Sequence, residues 1–192
     1  MLQANFVILF QKMKWIEQLK NYIGRWQLAR EVKTKRIKRK LIPFSQVEHI
    51  GIVYNAALKD DELLVSKYAQ ALRNEGKRVF MLGYVDLKQL PHTKKFMLNS
   101  EFFWREKLNG INLPIKGKIG QFLELEFDVL MSIYREPLLP MQAVAAYSNA
   151  KYRVGPHLEY GLDFFDLMVD TGTEKGLPFL IEQLDFYLRN IK

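Results

Sequence analysis

FDVLMSIYREPLLPMQAVAAYSNAKYRVGPH, residues 127–157, is the stretch whose reading decides the fold class. Phe127, Val129, Leu130, Met131 and Ile133 form a short, nearly continuous apolar run. Apolar residues at successive positions suit a strand buried on both faces. A loop comes next, then a helix over Ala143 to Ala150, then a second short strand at Tyr152 to Val154. Strand, crossover helix and strand make one βαβ unit of a parallel sheet.

The same alternation runs outward in both directions. Ile50, Ile52 and Val53 read as a first strand, opening at His49 and ending at Tyr54-Asn55. Asp60, Asp61 and Glu62 place negative charge where the next helix begins, which its macrodipole favours. Leu64, Tyr68, Ala69 and Leu72 give that helix a buried stripe, and Gly76 suits its C-terminal cap. Val79 to Gly83 is a second strand and Phe102 to Trp104 a third. Asn109 to Lys118 reads as an exposed connection, and Ile119 to Glu126 as a short helix. Leu167 to Val169 is the last strand. Pro178 opens a last helix whose apolar face is Leu180, Leu184, Tyr187, Leu188 and Ile191. The pattern predicts an α/β protein: a three-layer Rossmann-like or flavodoxin-like sandwich with a mainly parallel sheet of about five or six strands. Residues 46–192 form that domain, and residues 1–45 form an N-terminal arm.

Composition narrows the function classes. The chain has 192 residues and no cysteine, so disulfides, thiolate nucleophiles and cysteine metal sites are excluded. A reducing, cytoplasmic setting is the expectation. The apolar run Phe6 to Phe10 is too short for a signal core, and no stretch is long enough to span a membrane as a helix. Met1 to Lys12 reads as detached from the helix after it, with Met13 as a natural start.

The net charge of +8 is unevenly placed. Residues 1–45 carry 11 Lys/Arg and 2 acidic residues, a balance of +9, while the remainder carries 18 and 19, a balance of −1. Such asymmetry points to a polyanionic partner for the arm. From Lys14 to Arg30 the pattern is helical. Trp15, Ile16, Leu19, Tyr22, Ile23 and Trp26 line one face, and Lys14, Gln18, Asn21 and Arg25 fall on the other. Three roles fit the aromatic face and the basic run beyond it. The face can pack on the core or on a second subunit, as a homo-oligomer or with another protein. It can lie on an anionic membrane surface. Or the run Lys33, Lys35, Arg36, Lys38, Arg39 and Lys40 can contact nucleic-acid phosphates, although it lacks the interleaved aromatics of a stacking platform.

In open α/β sheets, ligands sit beyond the carboxyl ends of the strands. That rule nominates Asn55, then Tyr84 and Asp86, then Tyr134, Arg135 and Glu136, then Gly155 to His157, and finally Asp170, Thr171 and Thr173. Asn55, Arg135, His157, Asp170 and Thr171 are the ligand-binding candidates. His157 comes after a strand end and is the best placed of three histidines for proton transfer. The strong signatures are missing. YNAALKDD after the first strand has no glycine, so the dinucleotide fingerprint is absent. There is no Walker A sequence, no G-x-S-x-G and no H-E-x-x-H. No catalytic set, metal set or cofactor is nominated.

The core, from HIGIVYNAALKDDELLVSKYAQALRNEGKRVFMLGYVD to DLMVDTGTEKGLPFLIEQLDFYLRNI, resembles an uncharacterised bacterial family of small α/β proteins. That resemblance implies a fold and a bacterial cytoplasmic setting, not a reaction. FDVLMSIYREPLLPMQAVAAYSNAKYRVG is more distantly similar to a segment in the N-terminal half of heptosyltransferase-like glycosyltransferases. Those enzymes use two Rossmann-like domains, and their glycine-rich N-terminal loop has no counterpart in YNAALKDD, so no catalytic residue carries over. The expectation is a non-enzymatic binding or assembly module. Its alternative is a small nucleotide- or sugar-nucleotide-binding enzyme.

Overall fold

The structure is a computed structural model. It describes residues 2–34, 40, 42–94, 100–158, 164–170, 172 and 176–190, with the backbone alone for 2–13 and 33–34. Among these, six strands form one all-parallel sheet in the order β3-β2-β1-β4-β5-β6. They are β1 (His49–Asn55), β2 (Arg78–Val85), β3 (Ser100–Trp104), β4 (Val129–Ile133), β5 (Tyr152–Pro156) and β6 (Leu167–Val169). Of the two common doubly wound orders it is 3-2-1-4-5-6, not the flavodoxin order. Five α-helices accompany the strands: α1 (Leu2–Thr34), α2 (Lys59–Asn74), α3 (Gly120–Glu124), α4 (Leu139–Tyr147) and α5 (Leu177–Arg189).

Alternating side chains divide the interior into two cores. Ile50, Ile52, Tyr54, Val129, Met131 and Ile133 meet α2 and α5 on one face. Val53, Leu82, Phe103, Leu130 and Tyr134 meet α4, α3 and Leu28 of α1 on the other. The central strands are buried on both sides, as their unbroken apolar runs require.

Local chemistry explains the element ends. Asp60, Asp61 and Glu62 occupy the first turn of α2, and Arg73 the last. Gly76, at φ 83°, closes α2: its N–H donates to the Arg73 carbonyl and that of Lys77 to the Leu72 carbonyl. That pair of bonds is a Schellman motif, and its left-handed position suits glycine. Asp128 ties the strand starts together. Its carboxylate accepts from the N–H groups of Glu48 (2.8 Å) and His49 (3.0 Å) and from Lys151 Nζ (2.7 Å).

Several boundaries differ from the sequence reading. Helix α4 begins at Leu139, not Ala143, because Pro140 sits in its first turn, where a missing N–H costs nothing. All nine of its residues are buried, so it has no polar face to betray its period. The deep residue of α2 between its expected positions is Val65, with Leu64 only partly buried. Tyr187 is exposed, and Leu177 takes its place on the buried face of α5; Ile191 lies outside the described residues. Helix α1 is continuous from Leu2 through Met13, so residues 2–12 are not a detached segment.

Candidate functional site

Two regions carry candidate residues: the carboxyl ends of the strands and helix α1. At the strand ends, the ligand-binding candidates that are described each make separate local contacts. Asn55 Oδ1 accepts from the Ala57 N–H at 3.0 Å, a local turn. Arg135 pairs with Asp61 at 3.3 Å. Asp170 Oδ1 accepts from the Gly172 N–H at 2.8 Å, again a turn. The His157 side chain is exposed, and its backbone N–H continues the ladder to Val169. No hydrogen bond among the described residues joins these four. Thr171 and Thr173 lie outside the described residues.

A different cluster occupies the strand ends on the α1 side. A cleft of about 380 Å³ is lined by Tyr84, Asp86 and Arg105 together with Asn109, Asn112 and Lys20. Arg105 clamps Asp86 through Nε (2.7 Å) and Nη2 (2.9 Å), and the Tyr84 hydroxyl donates to the same carboxylate at 2.9 Å. The Arg105 guanidinium, against the pull of burial and with help from Tyr84, holds Asp86 below the usual carboxylate range. Burial, then the Asp86 charge, pushes the Tyr84 phenol up. The asparagines are engaged too. Asn109 Oδ1 accepts from the N–H groups of Ile111 and Leu113, and Asn112 Nδ2 donates to Glu17 and Asn21. This cleft's polar groups mostly satisfy one another. Position after a strand marked Tyr84 and Asp86 in the sequence. Arg105 carries the same mark, directly after β3, and sequence reasoning passed over it.

Another residue it missed is Arg153, on β5, only 2% exposed. Its Nη1 donates to the Ala145 (3.0 Å) and Ala146 (3.4 Å) carbonyls, where the end of α4 presents orphan acceptors. The arginine of AKYRVG thus braces a helix end inside the fold.

Helix α1 reverses the orientation drawn from its pattern. The side carrying Asn21 and Arg25 faces the body. Gly24 is buried there, and a Cβ at that position would collide with the Ile111 carbonyl oxygen. Leu28 enters the core at 1% exposure. Arg25 donates to Gln142 Oε1 and the Pro137 carbonyl, both at 3.1 Å, and Lys116 reaches Glu31 at 3.0 Å. The aromatic side points outward. Trp15, Tyr22 and Trp26 are 61–71% exposed, and Ile16, Leu19 and Ile23 are 41–44%. The reading in which this face packs on its own core is therefore corrected. The helix docks by shape and hydrogen bonds through a glycine-centred face, which leaves the bulky stripe free. Of the basic run, Lys40 is exposed, Lys33 is described by its backbone within α1, and Lys35, Arg36, Lys38 and Arg39 lie outside the described residues.

Fold and surface together define a doubly wound α/β protein with an added helix that presents an apolar face to solvent. The chain belongs to the family of unknown function DUF6913, whose model matches residues 20–191. No curated protein and no solved structure matches it.

Proposed function

We propose that the protein is a non-enzymatic docking module of the cytoplasm, in which the body, residues 46–192, carries the arm, residues 1–45, and the arm's aromatic face engages a partner surface. One observation carries this reading: six large apolar side chains form a single stripe on the side of α1 turned away from the body. Isolated exposed apolar residues are ordinary, but a contiguous stripe of this kind marks an interaction surface. The occupied state of the strand-end candidates supports it further, because Asn55, Arg135 and Asp170 each serve a local turn or ion pair. Hydroxyl-radical footprinting tests the reading. Trp15, Tyr22 and Trp26 are expected to oxidise readily in the purified protein and to be protected in fresh cell extract. Equal oxidation in both overturns it.

A second reading, a small nucleotide- or sugar-nucleotide-binding enzyme, is favoured by the cleft beside Tyr84, Asp86 and Arg105, which lies where doubly wound folds bind ligands. A thermal-shift screen with nucleotides and nucleotide sugars tests it. A rise in Tm that Arg105→Ala abolishes supports this second reading, and no rise with any of them counts against it.

A further inference from the structure

The docking reading leaves the occupant unnamed, and the charge around α1 chooses among three. The two acidic residues of the first 45 are Glu17 and Glu31. Both bond a group outside α1: Glu17, itself half exposed, accepts from Asn112 at 2.7 Å, and Glu31 accepts from Lys116 at 3.0 Å, besides Gln27 of its own helix. With both carboxylates counted, residues 1–45 still net +9. Arg30 is exposed and lies over the Trp26 ring at 5.7 Å, so cation and apolar stripe share one surface.

A nucleic-acid backbone would take the charge and leave the apolar stripe wet. A second copy would take the stripe but bring together two chains that each carry a net charge of +8. A bilayer with anionic headgroups takes both. The stripe's composition suits that last surface, with Trp15, Tyr22 and Trp26 interspersed among Ile16, Leu19 and Ile23. Tryptophan and tyrosine settle at the headgroup level, and aliphatic side chains reach just below it. From Trp15 to Trp26 the stripe runs about 17 Å along one convex helix, a shape that meets a plane without rearrangement. No helix among the described residues is long and apolar enough to cross a membrane.

We infer that the outward face of α1 is a peripheral membrane-docking surface selective for anionic lipid, an inference that rests on the docking reading. The basic residues supply long-range attraction, and the aromatic stripe supplies insertion. Each basic residue near such a surface strengthens binding roughly fivefold at low salt, and the attraction is screened over a Debye length of about 8 Å at physiological salt.

The test is co-sedimentation of the full chain with vesicles of phosphatidylcholine alone and with about one third phosphatidylserine. Binding to the anionic vesicles only is expected, at least tenfold weaker at roughly 0.5 M salt. The variant Trp15→Ser/Tyr22→Ser/Trp26→Ser is expected to lose at least a hundredfold, and Arg30→Glu about tenfold or more. The altered side chains face outward, so Tm serves as the control for folding. No sedimentation at millimolar lipid, or equal sedimentation of the triple variant, overturns the membrane inference. Analytical ultracentrifugation without lipid separates the two failures. A dimer that the triple variant dissociates removes the membrane and keeps the docking reading. A monomer that ignores vesicles, and whose stripe is unprotected in cell extract, removes both.

Discussion

Helices α5 and α1 flank the same body and answer the same sequence test in opposite ways. Both show apolar residues at helical spacing. In α5 that spacing reports packing: Leu177, Leu180, Leu184 and Leu188 are all buried at 0–2% exposure. In α1 it reports a face turned to solvent, while a glycine-centred face does the packing. A helix apolar on one side is explained by its own fold. One that packs through one side and keeps a bulky apolar stripe on the other carries apolar surface that its packing on the described residues does not use. The largest expected effect comes from this contrast. Leu184→Ala in α5 should lower the unfolding free energy by about 3 kcal/mol, from lost transfer energy plus a cavity. Urea denaturation measures it. A cost below about 1 kcal/mol would mean that α5 is as loosely held as the outer side of α1, and the comparison would collapse.

Gly24 sharpens the contrast from within α1. A methyl group there would collide with the Ile111 carbonyl oxygen and with Leu139 Cδ2. The first is backbone, held in a loop that Asn109 and Asn112 brace, with Asn112 at φ 62°. Gly24→Ala should therefore cost about 2 kcal/mol, despite alanine's better helix propensity. Hydrogen exchange would localise the loss. Amides of residues 21–32 should lose protection while those of β1 and β4 keep theirs. Loosening spread evenly over both would show that α1 and the body unfold as one unit.

Asp128 separates the body from the arm by pH. Its pKa is lowered: burial would raise it, but the N–H of His49, the Lys151 ammonium and the N–H of Glu48 outweigh burial. A carboxyl held below its unfolded value of about 3.9 contributes stability that is fully present above that pH. The contribution is lost as pH falls through the folded pKa. Asp128→Asn should cost about 1.5 kcal/mol near neutrality and progressively less below about pH 4. Parallel stability curves for parent and variant from pH 7 to pH 2 would refute the assignment.

How much of this was legible in the sequence depends on whether one chain segment held the whole signal. The strand positions were readable because β1, β4 and the later part of β2 are buried on both faces, which leaves nearly unbroken apolar runs. Gly76 was readable because a Schellman cap is local. The start of α4 was not, since a fully buried helix shows no periodicity and its proline looks like a loop residue until a first turn is placed around it. The side on which α1 docks was hidden for a physical reason. Its contact is made by the absence of a side chain at Gly24 and by polar bonds from Asn21 and Arg25, none of which a hydrophobic pattern records. The grouping of residues at the strand ends was not legible. Sequence placed Tyr84 and Asp86 after a second strand ending at Gly83; β2 in fact runs to Val85, so Tyr84 lies within it, and Arg105 joins the pair only through the pairing of β2 with β3.

The smallest expected effect bears most directly on the comparison. Replacing Trp15, Tyr22 or Trp26 singly by serine should leave stability within about 0.5 kcal/mol of the parent, because surface side chains without packing contacts contribute little to it. Trp26 should give the largest of the three changes. Arg30 lies over its ring, and an exposed cation–π contact is worth about 0.5 kcal/mol. Denaturant midpoints read the differences, and the slopes should stay equal, since no surface buried in the native body changes. A loss of about 2 kcal/mol at any of the three would mean that the stripe is covered by the same chain in solution. With anionic vesicles present the ranking should invert. Ligands of the native state stabilise it by mass action, so the parent should then gain stability that each serine variant forfeits. The same substitution would thus be nearly silent in buffer and costly on a membrane, whereas Leu184→Ala should cost the same in both.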